Sequence, residues 1–485
     1  MSYHWVAPEP RCEVRSDEKS TTSEEIERIK QWAEEHSSTS GGKIEIKNAE
    51  WKIVHEVVSD IVPGTIKDKR TSTIFAVPPE ILSVDGKAYE PKAVCIGPFF
   101  HHLRCGKHLQ SMEIYKWVCV HKLMSKHKDS IEVLLRDCLR KMKELLARVR
   151  SKYSQNFNDI KPADFARMLM LDGCFLLNLL LRYADGPEKA ELDDDDATPI
   201  VSRLWIWDVV RHDLLLLQNQ IPFFVIQSLY ELLNPHDKKN TNLVDCAINY
   251  FSPLDPCRKP KQTRFYIPVE DVHHLLHLIY LSLLPCPQYC KSRPGCCESD
   301  RWIPSATELG QAGIKFKRRN KACAPGFLSF LDVKFSDGVM EIPRLMVHDY
   351  SVSLLRNFIA FEQCYAGTQC HVTAYAAFMD FLIKTEKDVR LLYQNDILIN
   401  SMTVDRDATL FFSRLRYQVH HPQDTNYLRR LLLDVNDYRQ SKWRKWRLEL
   451  FRDYFYSPWS IISAGAAALG LLVAIAQLVV AIVFR

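Results

Sequence analysis

The sequence predicts a mainly α-helical fold, made of one large helical domain with a few short strands or a hairpin, plus one C-terminal transmembrane helix. Three observations predict it. Apolar residues recur at helical spacing over residues 109–150. Residues 168–183, MLMLDGCFLLNLLLRY, are apolar nearly all round, which is typical of a buried helix. Residues 461–484 carry no charge, as expected of a membrane-spanning helix.

The chain divides into four predicted segments. Residues 1–42 are polar, which predicts a disordered N-terminus. Residues 43–435 form the helical domain, residues 436–458 a basic and aromatic juxtamembrane helix, and residues 459–485 the transmembrane helix. A chain of 485 residues is long enough for one domain of this size, or for two or three smaller packed units.

Short extended segments interrupt the helical domain near residues 72–100 and 331–345. The first mixes Val, Ile, Phe and Pro around an Asp85-Gly86 turn signal. The second alternates apolar and polar residues around Asp337-Gly338, which predicts a β-hairpin.

The uncharged C-terminal stretch is long enough to cross a bilayer. Its roughly 24 residues give about 36 Å of helix, against a hydrocarbon core of about 30 Å. A buried core helix is the alternative. Cations precede the stretch and only Arg485 follows it, so the positive-inside rule predicts a single-pass membrane protein with the bulk of the chain in the cytosol. The basic residues expected at the membrane surface, or on a solvated helix end, are Lys442, Arg444, Lys445 and Arg447.

One face of this predicted span collects small residues and one amide at spacings of three and four. Such a face lets two helices approach closely, which predicts self-association through the span. The alternative is that these residues are simply common in helices of this kind. The face consists of Ser463, Ala466, Gly470, Ala474 and Gln477.

Charge and cysteine content narrow the class of protein. A net charge of +5 is small for this length and does not predict nucleic-acid binding, which needs a clustered basic face. The fifteen cysteines are odd in number and show no framework spacing. The N-terminus has no apolar signal-peptide core, and the chain contains no Asn-x-Ser/Thr acceptor. These observations favour reduced thiols in a cytosolic body.

The stretch 213–233, DLLLLQNQIPFFVIQSLYELL, places three amides in the most apolar part of the domain. Pro222 breaks a helix there and frees backbone groups in an apolar environment. Gln218, Asn219 and Gln220 offer donors and acceptors without charge, so we expect them to bind these groups at a buried helical corner. A ligand site is the alternative.

Two constellations contain metal-ligand residue types. His273 and His277 lie four residues apart with His274 between them, and buried or surface histidines are the simpler interpretation. Four cysteines share a short segment without a standard zinc spacing, so zinc binding, redox activity and ordinary free thiols all stay open. They are Cys286, Cys290, Cys296 and Cys297. We predict no metal and no cofactor.

A third constellation has acid/base character. His101 and His102 follow a turn, and Glu113 and Lys116 lie on one face of the next predicted helix. The last two form either an acid/base pair or an ordinary helix ion pair. The chain lacks the phosphate-binding, dinucleotide, nucleophile-elbow and zinc-protease motifs.

Several stretches, in order and spacing, resemble the plant family called domain of unknown function 247, whose members are UPF0481-type membrane proteins. They run from about residue 74 to the C-terminal stretch and include AVPPEILSVDGKAYEPKAVCIGPFFHH, LDGCFLL, DLLLLQNQIPFFV, ATELGQAGIKFK, LDVKFSDGVMEIPRL, NFIAFEQC and TAYAAFMDFLI. Gln218 stands where the family usually has an acidic residue, and Asp396 where it usually has glycine. The resemblance implies a mainly α-helical plant protein anchored at its C-terminus, and some grass members are linked to self-incompatibility.

These observations together predict a membrane-anchored interaction or recognition protein with no evident catalytic site, in signalling or self-recognition. Its expected partners are the membrane, an unidentified protein and a second copy of the span, with no nucleic acid. The alternative is an unrecognised membrane-associated enzyme with a site near His101, His102 and Glu113.

Overall fold

The computed structural model divides the chain into two compact units, residues 1–66 and 67–485. The described residues all belong to the second unit. They run from 72 to 483, without 105, 107–108, 128–130, 186–203, 235–241, 255–266, 285–301, 321–328, 348, 401–404, 418, 420–425 and 441–457. The predicted disordered segment 1–42 lies outside them.

Helices make up most of the described chain, as the sequence predicts. The helices, in chain order, are α1 (Pro79–Leu82), α2 (Gln110–Met124), α3 (Ile131–Arg150), α4 (Pro162–Asp185), α5 (Leu204–Asp213), α6 (Phe223–Leu233), α7 (Leu243–Tyr250), α8 (Leu275–Leu283), α9 (Ala306–Gln311), α10 (Asp349–Cys364), α11 (His371–Leu382), α12 (Glu386–Gln394), α13 (Asp405–Arg416), α14 (Arg429–Gln440) and α15 (Pro458–Val483). Short 3₁₀ turns lie at Gly86–Tyr89, His101–Leu103, Ser252–Leu254 and Val269–Asp271.

Helix α4 lies at the centre of the N-terminal half of the fold. It packs against α2, α3, α6 and α7, and its Leu169 and Leu177 are fully buried. Gly173 allows the close approach of α6, since a Cβ at this position would lie 2.4 Å from Leu229 Cδ1. A helix that is surrounded in this way must be apolar nearly all round, and its sequence has that character.

A second group of helices follows, in which α11 packs against α10 and α13. One continuous cluster of buried apolar side chains includes residues from both groups. Asn357 on α10 also connects them, because its Oδ1 accepts from Leu217 N at 2.8 Å and its Nδ2 donates to Ala88 O at 3.0 Å.

Two small sheets complete the described fold. The strands are β1 (Lys315–Arg319), β2 (Lys334–Ser336), β3 (Val339–Pro343), β4 (Leu345–Val347) and β5 (Leu398–Asn400). Strand β3 is central, parallel to β1 and antiparallel to β2, and β4 pairs in parallel with β5. Strands β2 and β3 form a hairpin whose turn contains Asp337 at φ 51° and Gly338 at φ 74°. Two successive positive φ values are typical of a tight two-residue hairpin turn.

The other segment expected to be extended, residues 72–100, has little regular structure. It makes one isolated β-bridge, between Ile74 and Tyr153, and otherwise contains α1 and a 3₁₀ turn. The backbone near the end of this segment is hydrogen-bonded by side chains and not by a neighbouring strand.

The predicted transmembrane helix is wrong. Helix α15 occupies the C-terminal stretch, but within the residues described here no helix is both long and apolar enough to cross a membrane. The prediction relied on the absence of charge. Much of α15 is alanine, glycine and serine, with Gln477, and such residues supply little apolar surface compared with leucine or isoleucine.

This correction extends to everything that depended on the span over 459–485: the single-pass membrane localisation, the membrane as partner and the classification as a membrane protein. The predicted juxtamembrane residues Lys442, Arg444, Lys445 and Arg447 lie outside the described part of the chain. Pairing of two chains through the small-residue face of α15 stays a prediction. That face is exposed along its length, at Ser463, Ala466, Gly470, Ala474 and Gln477.

Candidate functional site

Four charged side chains form an ionic cluster between α2 and α4. Lys116 Nζ lies 2.7 Å from Asp172 Oδ1 and 2.5 Å from Glu113 Oε1. Arg104 Nη2 lies 2.6 Å from Asp172 Oδ2, and its Nη1 lies 3.1 Å from Glu113 Oε2. Two cations therefore neutralise two carboxylates inside the fold.

The cluster is deeply buried, which makes its internal pairing essential. The side chains of Lys116 and Asp172 are both 0% exposed, whereas that of Glu113 is 21% exposed. Burial disfavours the charged form of Asp172, but Arg104 and Lys116 outweigh it and hold the pKa of this carboxyl below its usual value. A charged side chain left without its partners at this buried position would greatly lower the free energy of unfolding.

The same side chains bind the backbone that precedes Arg104. Asp172 Oδ2 accepts from Gly97 N at 2.8 Å, Arg104 Nη2 donates to Gly97 O at 2.9 Å, and Lys116 Nζ donates to Cys95 O at 2.6 Å. Gly97 has φ 73°, and a Cβ there would lie 2.3 Å from Gln220 O. Only glycine fits this backbone conformation and this close contact.

Asp213, at the end of α5, binds the beginning of the same segment. Its carboxylate accepts from the backbone N–H groups of Lys92 at 2.9 Å, Ala93 at 2.5 Å and Val94 at 2.9 Å. Burial raises the pKa of Asp213 to about 7, although these three donors favour its charged form. We call residues 92–97 the clamped segment, because side chains from α4, α5 and the loop after α5 bind its backbone.

The amides predicted to organise a buried corner lie in that loop. Asn219 Oδ1 accepts from Ile96 N at 2.6 Å, and its Nδ2 donates to Val94 O at 3.0 Å and Asp213 O at 2.8 Å. Asn219 therefore binds both the clamped segment and the end of α5, with 1% of its surface exposed.

Gln220 donates to two carbonyls in the loop that follows α5 and accepts from one N–H group in α8. Its Nε2 donates to Leu214 O at 2.8 Å and Leu216 O at 2.9 Å, and its Oε1 accepts from Leu276 N at 3.3 Å. Pro222 is the N-cap of α6. Gln218 is half-buried, and within the described residues no hydrogen bond of its side chain is recorded.

The histidines predicted as possible metal ligands lie together at the start of α8, but their ring nitrogens face protein groups. His274 Nδ1 accepts from His277 N at 3.2 Å and its Nε2 contacts Thr73 O at 3.0 Å. His277 Nδ1 accepts from His273 N at 3.2 Å. The rings of His273 and His277 stack at 4.4 Å. Burial lowers the pKa of each of the three, to about 3 for His277.

Other buried carboxylates make contacts of the same kind. Glu362 on α10 accepts from Val372 N and Thr373 N, each at 2.8 Å, and so caps the beginning of α11. Asp388 on α12 accepts from Thr307 N at 2.7 Å and Thr385 N at 2.8 Å. Carboxylates inside this fold thus serve repeatedly as acceptors for backbone N–H groups that have no helical partner.

The acid/base constellation divides in the structure. Glu113 and Lys116 are in contact, as their spacing on one helical face allows. His101 instead contacts Pro98 O through Nδ1 at 3.0 Å and lies 3.5 Å from Asp159. Among the described contacts, neither His101 nor His102 bonds Glu113.

Sequence reasoning missed Arg104, Asp172 and Asp213. The position of Asp172 could have predicted a buried cation, since a lone carboxylate inside a helix that is apolar nearly all round requires a cationic partner. Arg104 and Asp213 gave no such indication, because Asp172 lies 68 positions from Arg104 and the backbone that Asp213 binds lies about 120 positions from it. Asp396, where the resemblance expects glycine, has φ 62°, a left-handed conformation that glycine adopts without strain.

Metal ions in proteins are bound by His, Cys, Asp and Glu side chains, and many of these lie in the described part of the chain. No group of three or more His, Cys, Asp or Glu residues there is arranged to hold a metal ion. The cysteines at 286, 290, 296 and 297 lie outside the described residues. The described cysteines are free thiols, and five of them are buried: Cys95, Cys119, Cys138, Cys174 and Cys246.

Comparison with known proteins gives one matching family and similar proteins from a plant. Residues 74–473 match the family DUF247, described as plant protein of unknown function. The chain is 30% identical to UPF0481 protein At3g47200 of Arabidopsis thaliana, over 85% of this chain and 87% of that protein. It is 20% identical to Putative UPF0481 protein At3g02645 of the same plant, over 84% and 90% of the two chains. No solved structure matches it.

Proposed function

Since the chain belongs to DUF247, a plant family of unknown function, we propose from its geometry that it is a protein-binding domain that acts by recognition and has no catalytic site. Signalling and self-recognition are roles of this class. The proposal depends most on α2, whose inner face is fixed by the ionic cluster while its outer face exposes large apolar side chains.

The outer face of α2 is a single stripe. Gln110, Ile114, Trp117 and His121 are exposed and follow one another at spacings of four, three and four residues. The exposed fractions are 55% for Ile114 and 45% for Trp117. We call these four residues the α2 stripe.

Helix α2 combines a firmly packed inner face with exposed apolar surface on its outer face. Tyr115 and Lys116 anchor the inner face of α2, so the helix backbone that carries Trp117 is held in place. An exposed tryptophan beside an aliphatic side chain is the kind of residue that carries most of the energy of a protein interface. Both side chains are about half exposed, so burying the exposed part of each against a partner contributes roughly half of the 1.5–3 kcal/mol expected for full burial.

The enzyme alternative near His101, His102 and Glu113 gains no support from the contacts. Glu113 is bound by two cations, which keeps its carboxylate engaged in the ionic cluster. A general acid or base has to reach a substrate proton, and among the described contacts the partners of this carboxylate are the two cations and neither histidine.

The test is affinity capture from plant extract with the full chain as bait, followed by quantitative mass spectrometry. We expect proteins retained by the wild type to be lost with Trp117→Ala. Trp302→Ala is the matched control, because Trp302 is also exposed, at 53%, but lies outside α2. Both variants should melt at the wild-type temperature.

Two results would contradict the proposal. In one, the set of retained proteins is the same for Trp117→Ala and for the wild type. In the other, Trp302→Ala loses the same proteins as Trp117→Ala, which would show that capture depends on exposed tryptophan in general.

A further inference from the structure

The α2 stripe has the spacing of a contact between two helices. Gln110, Ile114, Trp117 and His121 recur at intervals of four, three and four residues, which is the spacing of a and d positions in a heptad. The stripe covers about 16 Å along the helix, or roughly three turns. All four side chains are exposed, so a second helix can approach along the whole stripe. Side chains with this spacing pack against another helix at a shallow crossing angle of about 20°.

The stripe itself carries no charged residue. Glu113, the one acidic residue of α2, is bound by two cations of the ionic cluster, and Lys122 is half-buried with interactions of its own. A partner that placed a charge against Ile114 and Trp117 would lose the hydration of that charge without receiving an opposite one. The stripe therefore fits a surface that is apolar at its centre and uncharged but polar at its ends.

We propose that the α2 stripe binds the α2 stripe of a second copy of this chain, packed antiparallel about a two-fold axis. This pairing rests on the proposed function and names its partner. With the axis between Ile114 and Trp117, Ile114 of each copy faces Trp117 of the other, and Gln110 faces His121. Because the interface is isologous, each of these contacts occurs twice.

The antiparallel register is complementary in size and in hydrogen bonding. Each of its two apolar layers contains one large ring and one smaller aliphatic side chain, so the layers have equal volume. At each end the amide of Gln110 faces the imidazole of His121, and each group carries a donor and an acceptor. A parallel pair would place Trp117 against Trp117 and Ile114 against Ile114, which overfills one layer and underfills the other.

The dimer is expected to be reversible. Interfaces of stable complexes bury about 1,200–2,000 Å² in total, and the contact of two stripes of three turns each is smaller. Monomer and dimer should therefore both be populated, in proportions that depend on protein concentration. Sedimentation velocity over a hundredfold range of concentration is the measurement that follows such an equilibrium.

The test uses the full chain in reducing buffer, because its fifteen cysteines could otherwise join copies covalently. We expect the sedimentation coefficient of the wild type to rise with concentration. Trp117→Ala should raise the dissociation constant of the dimer at least tenfold, and Ile114→Ala should change it in the same direction. Trp302→Ala removes an exposed tryptophan outside α2 and should dimerise like the wild type.

Two double variants test the antiparallel register. In Q110K/H121E the introduced lysine of each copy faces the introduced glutamate of the other, so we expect a dimer at least as tight as that of the wild type. In Q110E/H121E two glutamates meet at each end, and the dimer should weaken at least tenfold. A parallel pair would bring like charges together in both variants and would weaken in both.

Three results would overturn the proposal: a monomer at every concentration, a dimer that Trp117→Ala leaves intact, or equal weakening by the two double variants. Melting temperatures show whether each variant folds. If Trp117→Ala does not fold, the two double variants decide the question, since they change exposed side chains only.

The outcome also separates this pairing from the proposed function. If the full chain stays monomeric while capture from plant extract still depends on Trp117, the partner is a different protein. The self-pairing is then wrong and the proposed function stands. If capture does not depend on Trp117 either, both are wrong.

Discussion

Lys116 on α2 and Asp172 on α4 form an ion pair of 2.7 Å, Nζ to Oδ1, in which neither side chain is exposed to solvent. Arg104 and Glu113 complete the cluster and balance its charge. The pair joins two helices of the core and also fixes Cys95 and Gly97 of the clamped segment. Its loss should therefore affect the whole N-terminal half of the fold.

Replacing Asp172 by Asn tests this pair. The variant leaves two buried cations with one carboxylate, and we expect a loss of about 3–5 kcal/mol in the free energy of unfolding. Urea unfolding at pH 7 measures it. Asp164→Asn, an exposed acid on the same helix paired with Arg167, is the control and should change stability by less than about 0.5 kcal/mol. A loss below 1 kcal/mol for Asp172→Asn would show that the cluster tolerates an unpaired cation.

Replacing Gly97 by Ala should be more damaging than any other glycine-to-alanine change in this region. The new Cβ meets Gln220 O at 2.3 Å, and φ is 73°. Strain and overpacking together are expected to cost about 3 kcal/mol or more. Gly86→Ala is the matched control, because nothing lies within 4 Å of its Cβ position. Thermal melts of the two variants side by side give the answer, and equal melting temperatures would contradict the close contact.

Neighbouring amides of the corner should respond very differently to mutation. Asn219→Ala removes the partner of Ile96 N and Val94 O in a buried place, and we expect a loss of about 2–4 kcal/mol. Gln218→Ala should stay within about 0.5 kcal/mol of the wild type, because Gln218 is half-buried and no bond of its side chain is recorded among the described residues. Urea unfolding distinguishes them, and similar losses at both positions would count against a specific role for Asn219.

Acid should weaken the fold through the histidines at the start of α8. A histidine whose pKa is lowered on folding stabilises the protein fully above its unfolded value, near 6.5, and this stability is lost as the pH falls. For His277 the window runs from about 6.5 down to about 3. Each such histidine contributes a slope of up to about 1.4 kcal/mol per pH unit within its window.

The comparison of wild type with His277→Asn isolates this effect, since Asn retains an acceptor for His273 N. Unfolding free energies at pH 7, 6, 5 and 4 should fall less steeply for the variant. The difference between the two proteins is the proper measure, because Asp213 acts in the opposite direction. Burial raises its pKa to about 7, so acid favours its folded form. Parallel curves for the two proteins would show that folding does not lower the pKa of His277.

Local sequence patterns were sufficient to predict the helices, but not the contacts that join one helix to another. The apolar spacing over 109–150 predicted α2 and α3, and the near-continuous apolar run predicted that α4 is buried. These features depend on neighbours three or four residues apart, which a sequence displays directly. The C-terminal stretch shows the limit of the same reasoning, since its lack of charge predicted a membrane span that none of the described helices provides.

The ionic cluster and the clamped segment could not be predicted in full, for a physical reason. Many of their bonds, such as those of Lys116 with Asp172 and of Asn219 with Val94, join residues that are 56 to 125 positions apart, and no local period records such a contact. The amides at 219 and 220 were recognised as partners for freed backbone groups. That Asn219 also binds Val94 and Ile96 required the fold itself.

The clamped segment also sets an order of events during synthesis. Ile96 and its acceptor Asn219 are 123 positions apart, so the acceptor is made long after the donor. At about 5–20 residues per second, the ribosome needs about 6–25 s to add the intervening chain. Throughout that interval Ile96 N and Val94 O lack their partner Asn219 and depend on water or a chaperone for these hydrogen bonds. A nascent chain that stalls before residue 219 therefore lacks the acceptor that holds Ile96 N and the donor that holds Val94 O.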